Sequence, residues 1–563
     1  MRNFIFIGLI YWGNILSAQQ PILVKDIYPG MEGSTQYSFG SFSLDTFYFF
    51  QVGDNNNKQY WVTDGTNDGT KLLKQIVPEN IPVTQVPLFN FDHVAYFYST
   101  DDEMGNGSLW RTDGTTDGTY KFMEYCGAGC RVVDNNAVLN DKLLFTGTDV
   151  NGDELWISDG TINNTILLKD INPGPGDGKP TGYYNFKGKI YFSASSNGTN
   201  RELWRTDGTT TGTELFIDLD GNEMTESAPQ ILAVSGDIMY FSAVGSIAAG
   251  RELWKTDGTI PGTTLVKDIN TGEGSGFITP SNNLLRYFNK VVNNKLIFFA
   301  NTVEFGREWW VSNGFPEGTH LLKDIVPDPL GVSSSLMLFS NDSFALFQVN
   351  DGIHGRELWR TDGTESGTLL LKDIFEGPDH GLLSSTGLFY IQHGNKLYFV
   401  ASDSTYRSEI WVSDGTLGGT KRLTDMSYEI FGGESPKNLL QMAGDYLYFT
   451  APTDEYGSEV WKLLIDAPSN TQESPDGLII SFAVYPNPNH GQFLISGNAS
   501  VPSDVQVALF DMQGKLIVSQ KFNQLSGAFV REVNVAEAPA GLYLLSLQTE
   551  TGIQTKLISI INH

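Results

Sequence analysis

The chain has 563 residues, 40% of them hydrophobic, with 60 glycines and a formal net charge of -29. That length exceeds one ordinary core, so the chain is modular or repetitive, and the glycines fit a fold with many tight turns. The acidity is spread along the chain without Lys/Arg clusters, which argues against nucleic acid and anionic membranes as partners and leaves solubility as its plain reading.

Residues 1–18 read as a secretory signal. Arg2 is the charged start, residues 4–12 the apolar run, and Leu16-Ser17-Ala18 a small-residue cleavage site. The run is too short to span a bilayer, and no other stretch reaches the length of a transmembrane segment. The expected location is extracellular or on the outer cell surface, reached through the periplasm. Cys126 and Cys130 are the two cysteines. In an oxidising compartment they are expected to form a disulfide, and two cysteines alone cannot make a tetrahedral zinc site.

From residue 19 to 463 one string recurs about every fifty residues, which marks a repeat architecture. Clear copies are Arg201-Glu202-Leu203-Trp204-Arg205-Thr206-Asp207-Gly208-Thr209, the stretch from Arg251, and the stretch from Arg356. Looser copies carry Trp61, Trp110, Trp156, Trp310, Trp411 and Trp461. Aromatic and β-branched runs precede the tryptophans, as at residues 189–194 and 396–401, and predict strands. The Glu-Leu-Trp stretch is a further strand, and another follows each Asp-Gly-Thr turn. With a weaker apolar patch ahead, each repeat holds four strands, the blade of a β-propeller. The aspartates Asp64, Asp113, Asp159, Asp207, Asp257, Asp362 and Asp414 are expected to fix the turns by accepting backbone N–H bonds.

The two ends of this region are complementary. Residues 22–27 read as the last strand of a unit with nothing before it. Trp461 lies on a strand with no Asp-Gly-Thr after it. Pairing them closes a ring and removes two sheet edges. The fold class is therefore all-β: a closed β-propeller of about nine four-stranded blades, with eight as the alternative. Residues 464–483 read as a linker. Residues 484–563 lack the Trp string and read as a small C-terminal β-sandwich, with strands at 506–510, 515–520, 529–535, 541–548 and 556–561.

Two resemblances follow from these strings. The tail, with Tyr485-Pro486-Asn487-Pro488, Phe510-Asp511-Met512-Gln513-Gly514-Lys515, Pro539-Ala540-Gly541-Leu542-Tyr543 and Lys556, resembles the type A C-terminal sorting domain of the type IX secretion system of Bacteroidetes. It implies that secretion machinery as a partner. The body resembles the ELWxxDGT-repeat proteins, a resemblance that implies a secreted repeat protein without fixing an activity.

Repetition argues against catalysis in the motif, because an active site needs different groups converging on one atom. The Glu-Leu-Trp glutamates, such as Glu154 and Glu357, often follow an arginine, and ion pairing or surface solvation is their expected role. No cofactor is expected, with calcium the one alternative. Its candidate ligands are Asp149, Asn151 and Asp153, although Glu154 stands where an EF-hand loop needs glycine. Asp101 to Glu103 and Asp454-Glu455 occupy similar places. No metalloprotease or nucleophile-elbow motif occurs. The expected function is a non-enzymatic binding or adhesion scaffold for an extracellular protein or glycan. The alternatives are a polysaccharide-processing enzyme and a calcium-dependent binding module.

Overall fold

A computed structural model describes residues 21–465 and 481–560 apart from internal stretches, the longest at 77–84, 124–135, 278–287 and 425–439. The chain divides into two compact units, Met1–Leu464 and Ile465–His563. Among the described residues there is no α-helix, only strands and short 3-10 turns such as Ile162–Asn164.

Among the described residues, the first unit holds nine four-stranded antiparallel sheets. In the fourth sheet the strands are Thr181–Phe186, Lys189–Ser195, Arg201–Thr206 and Glu214–Ile217. The first pair is joined by Lys187 (φ 50°) and Gly188 (φ 75°), the left-handed pair of a two-residue hairpin turn whose twist suits its flanking strands. The third strand carries the tryptophan, and its partner is a phenylalanine in every sheet. Phe50↔Trp61, Phe97↔Trp110, Phe145↔Trp156 and Phe192↔Trp204 open the series. Phe241↔Trp254, Phe298↔Trp310, Phe347↔Trp359, Phe399↔Trp411 and Phe449↔Trp461 complete it.

These rings face the preceding sheet. Phe192, Ala194 and Trp204 pack with Leu144, Leu155 and Leu168. Phe241, Ala243 and Trp254 pack with Tyr191, Leu203 and Phe216 in the same way. Burying one such side chain contributes on the order of 2–3 kcal/mol. A lysine clamp adds to this packing. The fourth-strand Lys267 donates to Thr319 O at 2.7 Å in the next sheet, Lys323 to Thr368 O at 2.7 Å, and Lys372 to Thr420 O at 3.1 Å.

The ninth sheet is assembled from both ends of the unit, in the order Ile22–Leu23, Gly457–Leu464, Tyr446–Thr453, Gln441–Ala443. Ile22 lies opposite Lys462 and Leu23 opposite Trp461, so the pairing expected of residues 22–27 with the Trp461 strand is present. Beyond it, Val24 N donates to Val460 O at 3.0 Å. This ninth sheet meets the first through the same contacts that join the others. Lys25 donates to Thr70 O at 2.8 Å, Lys462 to Gly65 O at 2.7 Å, and Gly444 N to Asp45 O at 3.1 Å. Tyr48 stacks on Tyr448 at 4.9 Å between centroids. Val24, Tyr448 and Val460 share a core with Tyr48, Phe50 and Trp61.

The second unit corrects the short-strand reading of the tail. Its described residues form one five-stranded sheet of Ser481–Tyr485, Gln492–Asp511, Leu516–Asn534, Gly541–Gln548 and Ile553–Ile560. The stretches at 515–520 and 529–535, expected as separate strands, belong to one. Two register shifts, between Ala499 and Ser503 and between Ser503 and Val505, bend the long hairpin while it stays paired. One core of Val484, Phe493, Ile495, Val507, Leu509, Val533 and Leu545 draws on both halves of the bent sheet.

Candidate functional site

The Asp-Gly-Thr turns are built from local hydrogen bonds. Asp207 Oδ1 accepts Thr209 N at 2.9 Å and Thr209 Oγ1 at 2.7 Å. Gly208 takes φ 88°, a left-handed conformation open to glycine. Gly212 N donates to Thr209 Oγ1 at 2.9 Å, and Thr206 and Thr213 share a buried hydroxyl bond at 2.7 Å. Asp64, Asp113, Asp159, Asp257, Asp362 and Asp414 each accept the N–H two residues on in the same way. Repeat six uses Asn313 instead, which accepts Phe315 N at 3.0 Å. The second glycine has a steric reason the sequence did not disclose. A Cβ on Gly212 would lie 2.1 Å from Asp207 Oδ1, and one on Gly367 would lie 2.1 Å from Asp362 Oδ1. The threonine hydroxyl and N–H hold the Asp207, Asp257 and Asp362 carboxyls below their ordinary range.

The Glu-Leu-Trp glutamates overturn the expectation of surface solvation. Glu154, Glu202, Glu252, Glu308, Glu357, Glu409 and Glu459 are all buried. They hold the connection that leads to the next sheet. Glu357 accepts Ile374 N at 2.8 Å, Phe375 N at 3.2 Å and Gly381 N at 2.8 Å. Glu154 accepts Ile171 N at 2.7 Å, Asn172 N at 3.3 Å and Gly178 N at 2.7 Å. Glu252 accepts Ile269 N and Gly276 N, both at 2.7 Å. Glu202 takes the Ser227 N–H at 3.1 Å and its hydroxyl. Glu459 makes the same pair of bonds to Ser34, across the two ends of the unit, with the N–H at 2.9 Å. Burial pushes Glu154, Glu252, Glu357 and Glu459 up to about 7, against the pull of the hydrogen bonds. Glu308 is pushed up to about 8 by burial, with the Asp324 charge adding to it. The preceding arginines bond carbonyls: Arg251 Nη1 donates to Ala228 O at 2.7 Å, and Arg356 Nε to Leu382 O at 3.3 Å.

The calcium candidates lie at the end of a hairpin. Asp149 lies opposite Gly152, so the turn has two residues. Asp149 Oδ1 accepts Asn151 N at 2.8 Å and its Oδ2 accepts Asn151 Nδ2 at 3.1 Å. Asp153 is turned to the Thr148 hydroxyl, and its N–H donates to Asp177 Oδ1 at 3.1 Å. Among the described residues, no three His, Cys, Asp or Glu side chains are grouped to hold a metal ion. Among the same residues, no helix is long and apolar enough to cross a membrane, which does not bear on a β-barrel. Residues 1–18, 101–103, Cys126, Cys130 and Asp454 lie outside the described residues.

In the tail, Asp511 Oδ1 accepts Lys515 N at 2.9 Å and Asp511 N donates to Lys515 O at 3.0 Å, closing the turn. Tyr543 is buried opposite Asp511, and its hydroxyl donates to Pro539 O at 2.6 Å. Gly541 lies opposite Ile560 and Lys556 opposite Leu545. Pro486, Asn487, Pro488 and Gly514 lie outside the described residues.

No curated protein sequence matches the chain. Among solved structures, it is similar to a puromycin hydrolase at 11% identity, covering 77% of this chain and 60% of that one, with a TM-score of 0.33. It is similar to a prolyl endopeptidase at 10% identity, covering 68% and 55%, with a TM-score of 0.36. It is similar to Saccharomyces cerevisiae Sqt1 at 9% identity, covering 72% and 97%, with a TM-score of 0.35. The chain thus spans little more than half the length of the two hydrolases. Likeness at this level bears on neither activity nor substrate. The tail gives a definite answer: residues 483–561 match the family described as the secretion system C-terminal sorting domain, and this part of the chain is such a domain.

Proposed function

We propose that this chain is a secreted or cell-surface binding scaffold without catalytic activity. On this reading residues 1–18 are a signal peptide, and the type IX secretion system exports the chain by recognising the sorting domain. The body is a closed nine-bladed β-propeller of ELWxxDGT repeats. Its ligand is an extracellular protein or glycan held by the irregular loops, because function on a repeated fold lives in what differs between repeats.

One observation carries the non-catalytic reading. The chemistry-bearing side chains that recur are already consumed by the backbone of their own repeat. Asp207 is taken up by Thr209, and Glu357 by three N–H groups. Closure is supported by the repetition, between the ninth and first sheets, of the lysine clamp and the buried carboxylate bonds. The test is to purify the exported protein and run it on a glycan array, a protein pull-down from the native surface, and a turnover assay with the same glycans. Saturable binding without turnover supports the scaffold. Turnover of any glycan in the set rejects it.

A further inference from the structure

The loops of the antiparallel sheets fall at two ends. The sixth sheet holds Asn289–Val292, Lys295–Thr302, Gly306–Ser312 and His320–Lys323, and the seventh Ser335–Ser340, Ala345–Asn350, Arg356–Thr361 and Leu369–Lys372. One end of each carries the first hairpin turn and the Asp-Gly-Thr-type turn. The other carries the second hairpin, at 303–305 and 351–355, with the connections 324–334 and 373–382. The first of these ends repeats one set of bonds, and the second does not. Its hairpins differ in length: Asp149 lies opposite Gly152, Thr302 opposite Gly306 and Asn350 opposite Arg356. The residue before the glutamate also donates its N–H to a different group each time. The acceptor is Asp177 Oδ1 for Asp153, Ser275 Oγ for Arg251, Leu330 O for Arg307 and His380 Nδ1 for Arg356. Loops that vary on a constant frame are where a partner is selected.

Val150, Val303, Leu330 and Ile353 are 87%, 84%, 80% and 68% exposed, more than any other large apolar side chain among the described residues. All four stand at this variable end. Three of them belong to the sixth and seventh sheets, which pack together through Trp309, Val311, Phe347 and Trp359. Leu330 lies against the 303–305 hairpin, because Gly331 pairs with Arg307. The same connection then enters the seventh sheet at Ser335, opposite Val349, at the base of the 351–355 hairpin. The backbone of each of the three is pinned. Val303 N donates to Asn270 Oδ1 at 3.1 Å, Leu330 N to Asp328 Oδ1 at 2.6 Å and Ile353 N to Asp351 Oδ1 at 2.9 Å. A backbone held this way has little left to order when its side chain is covered. The exposed charges of the described residues here are Glu304, Asp324, Asp328, Glu376 and Asp379 against Arg307. His354 is paired with Asp351 at 2.7 Å, and His380 accepts Arg356 N.

We infer that this end of the sixth and seventh sheets docks a protein segment that carries lysine or arginine beside aliphatic or aromatic side chains. The inference rests on the scaffold reading and narrows its ligand to a protein. The partner's apolar side chains cover Val303, Leu330 and Ile353, and its cations meet the surrounding carboxylates, which also steer its approach. A sugar pressed on these aliphatic side chains would lose water from its hydroxyls without gaining partners. An anionic lipid surface is repelled by the same carboxylates.

The test uses the exported full chain and a short fluorescent peptide rich in lysine and leucine. Two matched probes replace its leucines by serine or its lysines by glutamate. One variant combines Val303→Ser, Leu330→Ser and Ile353→Ser, and a second combines Glu304→Lys with Asp379→Lys. Leu417→Ser with Glu365→Lys is the control, a matched change at the Asp-Gly-Thr end. Thermal melts check that each variant folds like the parent. The parent should bind the lysine–leucine peptide saturably and more tightly than either matched probe. Each variant of the variable end should weaken that binding by about tenfold or more, roughly the value of one good contact, and the control should leave it unchanged. A parent that does not bind the peptide, variants that bind it like the parent, a control that weakens it equally, or equal binding of the serine probe overturns the inference. So does a glycan held by the parent and lost in the serine variant. Turnover of a glycan by the parent is a separate result, and rejects the scaffold reading itself.

Discussion

Glu357→Ala is the sharpest perturbation of the repeat. The carboxylate accepts the N–H groups of Ile374, Phe375 and Gly381 inside the protein. Each buried donor left without an acceptor costs about 1–3 kcal/mol. Water entering the vacated space can satisfy part of this, so the net loss is roughly 3–5 kcal/mol. A surface ion pair would lose about 0–1 kcal/mol, and the two readings are well separated. Glu357→Gln keeps one carbonyl oxygen but turns an NH2 group toward the donors, and should fall between, at about 1–3 kcal/mol. The assay is thermal unfolding together with amide exchange read by mass spectrometry on a peptide covering residues 369–382. Both substitutions should lower the melting temperature, alanine more than glutamine, and speed exchange in that peptide first. An alanine variant with unchanged melting and exchange would refute the buried-anchor role.

Further outcomes follow from the same geometry. Gly367→Ala places a methyl in the space of the Asp362 carboxylate and should cost about 1–3 kcal/mol by overpacking. Asp362→Ala should relieve that clash, so a double-mutant cycle read by thermal unfolding should show clear coupling; additive costs would contradict the turn. Glu154, Glu252, Glu357 and Glu459 titrate near 7 when folded, above their ordinary 4.5. The folded state therefore binds more protons, and this contribution is complete below about 4.5 and lost as pH rises through 7. Asp207 and Asp362 are shifted down, so theirs is present above their ordinary 3.8 and lost on acidification. The melting temperature should peak near pH 5, and a higher melting temperature at pH 8 would contradict the sign. Deleting residues 19–34 removes the Ile22–Leu23 strand, the Lys25 clamp and the Ser34 donors of Glu459. It should destabilise the first unit by several kcal/mol, on the order of 3–6 from those lost bonds and the buried Val24; a melt unchanged from the parent would contradict it.

What was legible in the sequence was local or strictly periodic. The Asp-Gly-Thr turn could be read because Asp207 bonds a residue two positions on. The strand count followed from the spacing of the tryptophans, and the pairing of Ile22–Leu23 from a strand missing at one end and spare at the other. The role of the glutamates was hidden because their donors lie in the next connection, at positions as different as Gly178, Ser227 and Ser34. The lysine clamp had a signal that went unread: Lys25, Lys267, Lys323 and Lys372 all precede Asp-Ile. The alternate polar residues Asp149, Asn151 and Asp153 also suit a hairpin end, where Asp149 bonds Asn151 and Asp153 the Thr148 hydroxyl. In the tail, the stretches at 515–520 and 529–535 read as separate strands because each is a short β-prone run. The long hairpin continues between them because its bulges bend it without unpairing it.

Closure of the first unit is most directly tested by cross-linking its two ends. Ile22→Cys with Lys462→Cys joins residues that face each other across the ninth sheet. Arg205→Cys with Glu214→Cys serves as the control within one sheet. After mild oxidation of the folded chain, mass spectrometry should find the peptides around positions 22 and 462 joined within one molecule, as completely as the control pair. Free thiols at 22 and 462, or a link only between molecules, while the control pair closes, would contradict a ring sealed by its own ends.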